Sequence, residues 1–282
     1  MDSRQDLFSA TPLPSNPMWF MHGGEETALN RLGFRQAPGG IHLSKTMMLS
    51  ELCAAIDASG IGRPSEVARA ILDDNALAKP TGTARRLALY LLNTLYGIST
   101  ALPVQAAMLS LWSRNAAGRP LLALLCALAR EALLRDSAAV ILDTPACTPV
   151  RWPDLAAVLE TQHPGRYSPK MLKSLAQNCA STWTQSGHLA GKVAKRRAKA
   201  EPSPEAAAYA ALLGELAGFG GPALLRSPWM AVLDRSESDM LSLLRRAEST
   251  GLTRIRAGGG VVQISTRRPM AEILGIPELV DG

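Results

Sequence analysis

The amino-acid sequence predicts a mainly α fold that contains helix-turn-helix and winged-helix-like units and a short C-terminal β-hairpin. Hydrophobic residues make up 47% of the chain and aromatic residues only 5%. Ala and Leu supply most of the apolar positions, and this favours helices over sheets. Proline and glycine fall mainly between segments of helical periodicity, where they separate helices. Near the C-terminus the periodicity changes to alternation, which predicts the hairpin.

Composition divides the chain into three parts. Residues 1–40 form an N-terminal arm with several prolines and two Gly-Gly pairs. Its aromatic residues Trp19, Phe20 and Phe34 indicate that it docks on the rest of the protein, although its polar composition fits a partly disordered tail equally well. Residues 41–145 form a helical domain with helix-turn-helix character. A proline-rich stretch then leads into a C-terminal winged-helix-like domain, residues 146–282.

The N-terminal domain combines several amphipathic segments. Their periodicity predicts helices over 44–58, 84–96, 102–113 and 120–135, the last extended by 137–142. Lys79, Arg85 and Arg86 lie at the start of the 84–96 helix, which could therefore end a nucleic-acid-binding helix-turn-helix. This helix is apolar on much of its circumference, with Leu87 and Leu95 among its leucines. We therefore interpret it mainly as a buried packing helix.

Residues 161–200, here called the basic window, contain no Asp and no Glu. Most of the formal net charge of +6 can be assigned to this window. Its cations are Arg166, Lys170, Lys173, Lys192, Lys195, Arg196, Arg197 and Lys199. A surface of one sign is most commonly matched by nucleic acid, and we expect these side chains to neutralise phosphates.

The start of the basic window, together with the residues just before it, has the pattern of a helix-turn-helix. A short amphipathic helix over 153–160 is followed by a His-Pro-Gly turn, and Ser168-Pro169 begins a second helix over 169–183. Its apolar stripe consists of Leu172, Leu175, Ala176, Cys179 and Trp183. The opposite face consists of Lys170, Lys173, Ser174, Gln177, Asn178 and Ser181. We predict a recognition helix whose amide and hydroxyl groups reach the DNA groove. An ordinary solvated helix is the alternative.

The C-terminal alternation predicts a β-hairpin over residues 252–266, with strands 252–257 and 261–266. Its apolar face contains Ile255, Val262 and Ile264, and its polar face contains Arg254, Arg256 and Gln263. A helix over 237–249 precedes it, so the hairpin resembles the wing of a winged helix. We predict that Arg254 and Arg256 contact DNA. A hairpin that closes the core with solvated arginines is the alternative.

The sequence carries no recognisable catalytic or metal-binding motif. It lacks a GxxxxGK[ST] phosphate loop, an HExxH helix and a GxSxG elbow. The cysteines Cys53, Cys126, Cys147 and Cys179 form no CxxC pair, which argues against zinc. We therefore expect no enzymatic activity, metal or cofactor. The N-terminus has no signal-peptide pattern and the longest apolar run, 121–129, is too short to span a bilayer, so we expect a cytoplasmic protein with no membrane partner.

Five segments resemble the accessory A protein family of bacteriophage-exclusion (BREX) systems. They are LSKTMMLSEL at 43–52, ARRLALYLLNTLYG at 84–97, RPLLALLCALAREALLRDSA at 119–138, STWTQSGHLAGKVAKRR at 181–197, and AAYAALLGELAGFGG with LLRSPWMAVLD over 207–234. The resemblance covers about residues 41–266. It implies a mostly helical, non-catalytic DNA-binding protein that acts beside other antiviral defence proteins.

These observations together predict a non-enzymatic protein that binds double-stranded DNA with weak sequence preference, as an accessory component of phage defence. An RNA-binding helical protein is one alternative, although the low aromatic content argues against single-strand recognition by base stacking. The other alternative is a protein–protein adaptor in a defence complex, in which the basic window would face an acidic partner.

Overall fold

The structure, a computed structural model of the chain, describes residues 20–23, 25–37, 40–61, 63–258 and 261–281. In these ranges it is mainly helical, with a three-stranded and a two-stranded antiparallel sheet. The predicted fold class, mainly α with a short C-terminal hairpin, is therefore confirmed. Among the helices of the described ranges, none is both long enough and apolar enough to cross a membrane. The predicted docking of Trp19 lies outside the described residues.

The N-terminal half consists of helices joined by short breaks. They are α1 (Glu26–Leu32), α2 (Leu49–Ser59), α3 (Pro64–Leu72), α4 (Gly82–Tyr96), α5 (Pro103–Trp112), α6 (Arg119–Arg130) and α7 (Ala132–Leu142), with 3-10 turns at Ile41–Leu43 and Ala116–Gly118. The helix predicted over 44–58 begins later because Met48 adopts a left-handed conformation, with φ of 53°. Leu87 on α4 is 48% exposed, so the expectation that this helix is buried on that side was wrong.

The helix predicted over 120–135 is broken at Glu131. This residue adopts an extended conformation, with φ of −128° and ψ of 101°, and separates α6 from α7. The break leaves the carbonyl oxygens of Leu128 and Ala129 without helical partners, and the buried guanidinium of Arg135 donates to both. The Arg135 side chain, with the Arg35 backbone N–H on Ala129, therefore replaces the helical hydrogen bonds that the sequence periodicity implies.

The C-terminal half contains short strands between helices. The elements are β1 (Pro149–Val150), α8 (Trp152–Gln162), α9 (Pro169–Gln185), β2 (Leu189–Ala190), β3 (Lys195–Arg197), α10 (Pro204–Leu216), α11 (Pro222–Leu225), α12 (Pro228–Ala231), α13 (Glu237–Glu248), β4 (Arg254–Gly258), β5 (Val261–Ser265), α14 (Arg267–Leu274) and α15 (Glu278–Asp281). The predicted recognition helix and hairpin correspond to α9 and to β4–β5.

The three-stranded sheet was not predicted from the sequence. Its strand order is β1-β3-β2, with Pro149 opposite Arg196 on one side and Leu189 opposite Arg197 on the other. Strand β3 is therefore central and forms the second half of the basic window. Residues 191–194, here called the β2–β3 turn, connect the two strands and project from the protein.

Helix α10 lies at the centre of the hydrophobic core. Residues Ala206 to Leu213 are all buried, and the helix packs against α5, α6, α12, α13 and α14. Its alanines permit close approach, and at Gly214 an added Cβ would lie 2.6 Å from the Leu224 side chain. One buried cluster extends from Phe20 to Leu279. The predicted domains therefore share a core, and the division near residue 145 stays a prediction.

The described part of the N-terminal arm packs on this core. Phe20 is buried against Trp229, with ring centroids 4.9 Å apart in an edge-to-face arrangement. The Trp229 indole donates to the Phe20 carbonyl oxygen at 2.8 Å. Phe34 contacts the same indole, with a centroid distance of 5.8 Å. The docking predicted for Phe20 and Phe34 is thus confirmed.

His188 connects the three-stranded sheet to the segment that follows α12. Its Nε2 donates to the Val232 carbonyl oxygen at 2.8 Å, and its Nδ1 lies 2.9 Å from the Ser186 hydroxyl. Burial lowers the pKa of His188 to about 4, and the nearby Arg197 guanidinium acts in the same direction. The imidazole is therefore neutral at physiological pH and holds these two parts together.

The low pKa of His188 predicts a pH-dependent contribution to stability. The folded-state pKa of about 4 lies below the ordinary value of 6.5, so protonation favours the unfolded chain between these pH values. The contribution is complete above pH 6.5 and is lost as the pH falls toward 4. Urea unfolding of wild type and His188→Gln should show a stability difference that decreases by up to about 3 kcal/mol across this range. A difference independent of pH would contradict it.

Candidate nucleic-acid interface

Helix α9 is positioned by its cap and its apolar stripe. The Ser168 hydroxyl accepts a hydrogen bond from the Met171 backbone N–H at 3.3 Å, and Pro169 occupies the first turn. Leu175, Cys179 and Trp183 are fully buried. The predicted stripe is confirmed, with Leu172 at its half-buried edge.

The opposite face of α9 is exposed and contains no acid. Lys170, Lys173, Ser174 and Gln177 are exposed, and Ser181 is half-buried farther along the same face. The Lys173 ammonium lies 5.4 Å from the ring centroid of Trp152 at the start of α8. The structure thus brings two predicted cations and two predicted groove-contacting residues onto one side of a helix.

A second exposed element, the β2–β3 turn, lies beside this face. Gly191 has φ of 101°, and an added Cβ there would collide with the Ala194 carbonyl oxygen, so the tight turn requires glycine. Lys192 is exposed and Val193 is 99% exposed. The turn therefore presents a cation and an apolar side chain to solvent.

The cations that follow the turn differ in their exposure and in whether a protein group already occupies them. Lys195 is half-buried, its Nζ donates to the Thr184 hydroxyl at 2.8 Å, and burial lowers its pKa. Arg196 is exposed and donates to the Cys147 carbonyl oxygen at 2.9 Å. Lys199 is exposed. Lys195 thus attaches the β2–β3 turn to α9, whereas Arg196 and Lys199 are exposed cations farther along the chain.

Arg197 corrects the sequence prediction. Its side chain is buried and forms two 2.9 Å contacts with the carboxylate of Asp234. Its Nε also donates to the Ile141 carbonyl oxygen at 2.7 Å. A guanidinium held in this way is not accessible to phosphate, so the predicted DNA contact of Arg197 was wrong. Its role is to attach β3 to α7 and to the segment that follows α12.

Asn178 also differs from the prediction. Its side chain is half-buried, and its Nδ2 donates to the His42 carbonyl oxygen at 2.9 Å. On the same edge of α9, Thr182 Oγ1 accepts from the Met47 N–H and Gln185 Oε1 accepts from the Leu49 N–H. This edge is occupied by the 3-10 turn Ile41–Leu43 and the start of α2. Asn178 therefore orients α9, and its side chain is not available for the DNA-groove contact that we predicted.

Arg166 lies in the turn that leads into α9. It is exposed, and its guanidinium carbon is 5.8 Å from the ring centroid of Tyr167. His163, in the same turn, donates a 2.7 Å hydrogen bond to Asp136 of α7, and this bond attaches the turn to α7. Arg166 is thus placed at the N-terminal end of the exposed face of α9.

The C-terminal hairpin forms a separate basic surface. Arg254 pairs with Ser265 and Arg256 with Gln263 across β4 and β5, and both arginines are exposed. With Arg268 and Pro269 they line a small depression of about 150 Å³. The predicted division of the hairpin into a basic face and an apolar face is confirmed, because Ile255 and Ile264 form an adjacent pair on the other side.

The helix before the hairpin has a different charge pattern from α9. The first turn of α13 contains Glu237 and Asp239, and Arg245 and Arg246 lie only in its last turn. Carboxylates at the start of a helix repel phosphate. We compare two helix–sheet units, α9 with the three-stranded sheet and α13 with the β4–β5 hairpin. The first turn of α13 is acidic, whereas the exposed face of α9 is basic, so the units differ in the sign of the charge that a recognition helix would present to DNA.

Sequence reasoning missed Trp152 and Val193 because a single apolar residue in a sequence does not show whether its side chain is buried or exposed. The signal that could have identified the turn is the pair Gly187 and Gly191, which interrupts the helical pattern after α9. Among the described residues, no group of three or more His, Cys, Asp and Glu side chains is placed to hold a metal ion.

Comparisons with protein-family models, curated proteins and solved structures find no match for this chain.

The buried contacts of Arg197 predict a large loss of stability on substitution. Arg197→Met should lower the free energy of unfolding by about 3 kcal/mol, because the Asp234 carboxylate loses its partner in a poorly solvated position. The matched control Lys199→Met, exposed and two residues away, should change stability by less than about 0.5 kcal/mol. Chemical denaturation of both variants measures this difference. Equal stability of the two variants would show that Arg197 is not a structural residue.

Proposed function

We propose that this chain binds double-stranded DNA, with α9 in the major groove and the β2–β3 turn on the adjacent backbone. The observation that carries the proposal is the acid-free exposed face of α9, which lies beside a projecting basic turn. A duplex carries a high density of negative charge, and clustered Lys and Arg side chains bind it by releasing counterions.

The chain connectivity supports the same function. Elements α7, β1, α8, α9, β2 and β3 follow one another, with strand order β1-β3-β2. This is the arrangement of winged-helix domains, in which the third helix reads the groove and the turn between the last strands is the wing. In this proposal the wing is the β2–β3 turn, and not the β4–β5 hairpin that the sequence pattern indicated.

The proposed contacts divide into phosphate binding and groove contact. Phosphates are neutralised by exposed side chains around α9 and the sheet, which are Arg166, Lys170, Lys173, Lys192, Arg196 and Lys199. Gln177 and Ser181 supply hydrogen-bonding groups to base edges. Lys195 assists mainly by holding the turn. With few groove-directed groups beside many cations, we expect weak sequence preference.

The second helix–sheet unit contributes through its hairpin. Arg254 and Arg256 lie with Arg268 on one exposed face and are suited to bind the DNA backbone. The acidic first turn of α13 opposes insertion of that helix into a groove. We therefore propose that only the hairpin of this unit contacts DNA.

We extend this proposal to a non-catalytic, cytoplasmic role as an accessory protein of phage defence. This part rests on the resemblance of five segments to the accessory A family of BREX systems. Contacts with other BREX proteins belong to the same proposal. Genes for a methyltransferase and a phosphatase-like defence protein beside this gene would support it, and their absence would count against it.

Substitution of two cations should change the salt dependence of DNA affinity. For a random-sequence duplex of about 20 base pairs, each lost phosphate contact reduces the slope of log affinity against log salt by about 0.9. Lys173→Gln/Lys192→Gln should therefore show a slope shallower by about 1.8 than wild type. Arg31→Gln/Arg114→Gln removes the same charge from exposed positions elsewhere and should leave the slope unchanged. Fluorescence anisotropy over a salt series measures all three proteins.

The same assay can exclude the proposal. Absence of wild-type binding at low salt would exclude DNA binding. Tighter binding to an RNA duplex of the same length would favour the RNA alternative. If the two double variants behave alike, DNA binding stands but α9 and the β2–β3 turn are not the site, and Arg254→Gln/Arg256→Gln becomes the informative variant.

A further inference from the structure

A groove separates the β2–β3 turn from α9. Its volume is about 780 Å³, which is within the range of small-molecule sites. One wall comprises residues 192–195 of the turn and the start of β3, the second comprises Gln177, Ala180 and Ser181 of α9, and the third comprises residues 149–153, which form β1 and the start of α8. A paired duplex lying on α9 does not fill such a groove, because its base faces are stacked inside the double helix.

The lining combines an apolar surface with polar and cationic groups. Trp152, Val193 and the prolines Pro149 and Pro153 supply the apolar surface. Gln177 and Ser181 supply hydrogen-bonding groups, and Lys192 and Lys195 lie along the turn side. The lining contains no Asp or Glu. An occupant that matches this surface has a flat apolar face, a polar edge and negative charge nearby.

Trp152 is unusual among the described tryptophans. Trp112, Trp183 and Trp229 are completely buried, whereas Trp152 is 39% exposed in the groove. Its ring centroid lies 5.4 Å from the ammonium of Lys173, an exposed side chain whose length allows it to reach a phosphate when another group covers the ring. An exposed indole next to cations is the combination that proteins use to stack nucleobases.

We propose that this groove takes one unpaired nucleobase of a DNA strand, stacked on Trp152 with its edge toward Gln177 and Ser181. This inference rests on the proposed DNA binding and adds a preference for duplexes that contain an unpaired nucleotide. The location supports it, because the groove lies between the two elements that we propose to contact the duplex. Lys173 and Lys192 are on either side to bind the flanking phosphates.

The test compares a blunt duplex with the same duplex carrying a one-nucleotide bulge, at one salt concentration. Base–aromatic stacking predicts that wild type binds the bulged duplex about tenfold more tightly. Trp152→Ala should lose this preference while it retains its affinity for the blunt duplex, and Trp152→Phe should retain part of it. Met171→Ala removes another exposed apolar side chain, on α9 but outside the groove lining, and should keep the full preference.

Two further measurements distinguish the base from other occupants. A 2-aminopurine placed in the bulge should lose fluorescence on binding wild type but not Trp152→Ala. An abasic bulge should bind no more tightly than the blunt duplex. Circular dichroism of the variants establishes that they are folded.

Three outcomes would overturn the inference. Equal affinity of wild type for blunt and bulged duplexes removes it while duplex binding stands. Equal affinity for abasic and base-containing bulges shows that DNA flexibility, not a stacked base, sets the preference. Protection of Trp152 from acrylamide quenching by an acidic peptide but not by bulged DNA assigns the groove to a protein partner. Failure to bind any DNA overturns the proposed function as well.

Discussion

A buried arginine is stable only when its donors are paired, and Arg197 meets this condition with groups from distant parts of the chain. Its guanidinium binds the carboxylate of Asp234 and the carbonyl oxygens of Ile141 and His188. Because Arg197 ends β3, this network fixes the central strand of the three-stranded sheet. The position of β3 in turn determines the position of the β2–β3 turn and of the groove beside it. The arrangement of the exposed basic surface therefore depends on the buried cation Arg197.

Helix α9 connects the core to the proposed interface because its sides contact different surroundings. The apolar side, with Leu175 and Trp183, packs into the core. A polar edge, with Asn178 and Gln185, holds the segment that leads into α2. Only the remaining face is left for solvent. A helix fixed on two sides changes little on binding, and preorganisation of this kind reduces the entropy lost in complex formation.

The sequence predicted the features that are local. The Ser168-Pro169 start of α9, its apolar stripe and the pairing of β4 with β5 follow from caps and periodicity, which need only neighbouring residues. Strands β1, β2 and β3 are too short to show periodicity, and they form through pairing between distant segments. The break at Glu131 was hidden by continuous helical propensity, and it is stabilised by a side chain, Arg135.

The same distinction applies to the candidate site. Lys170, Lys173 and Gln177 were correctly placed on the exposed face because helical geometry determines which residues share a side. Arg197 was misassigned because its partner Asp234 is distant in sequence, and charge alone does not indicate burial. Trp152 was missed because only the tertiary arrangement shows that it remains half-exposed.

The attachment of α9 on two sides also restricts which of its residues can be substituted without loss of the fold. Asn178, Thr182 and Gln185 hold backbone groups of residues 42–49, so their replacement would disturb the fold. Substitution without loss of structure is confined to the exposed face, which comprises Lys170, Lys173, Ser174, Gln177 and Ser181. Under the proposed function, relatives that bind different DNA targets should differ at these positions, and a combinatorial library that tests new targets can be restricted to them.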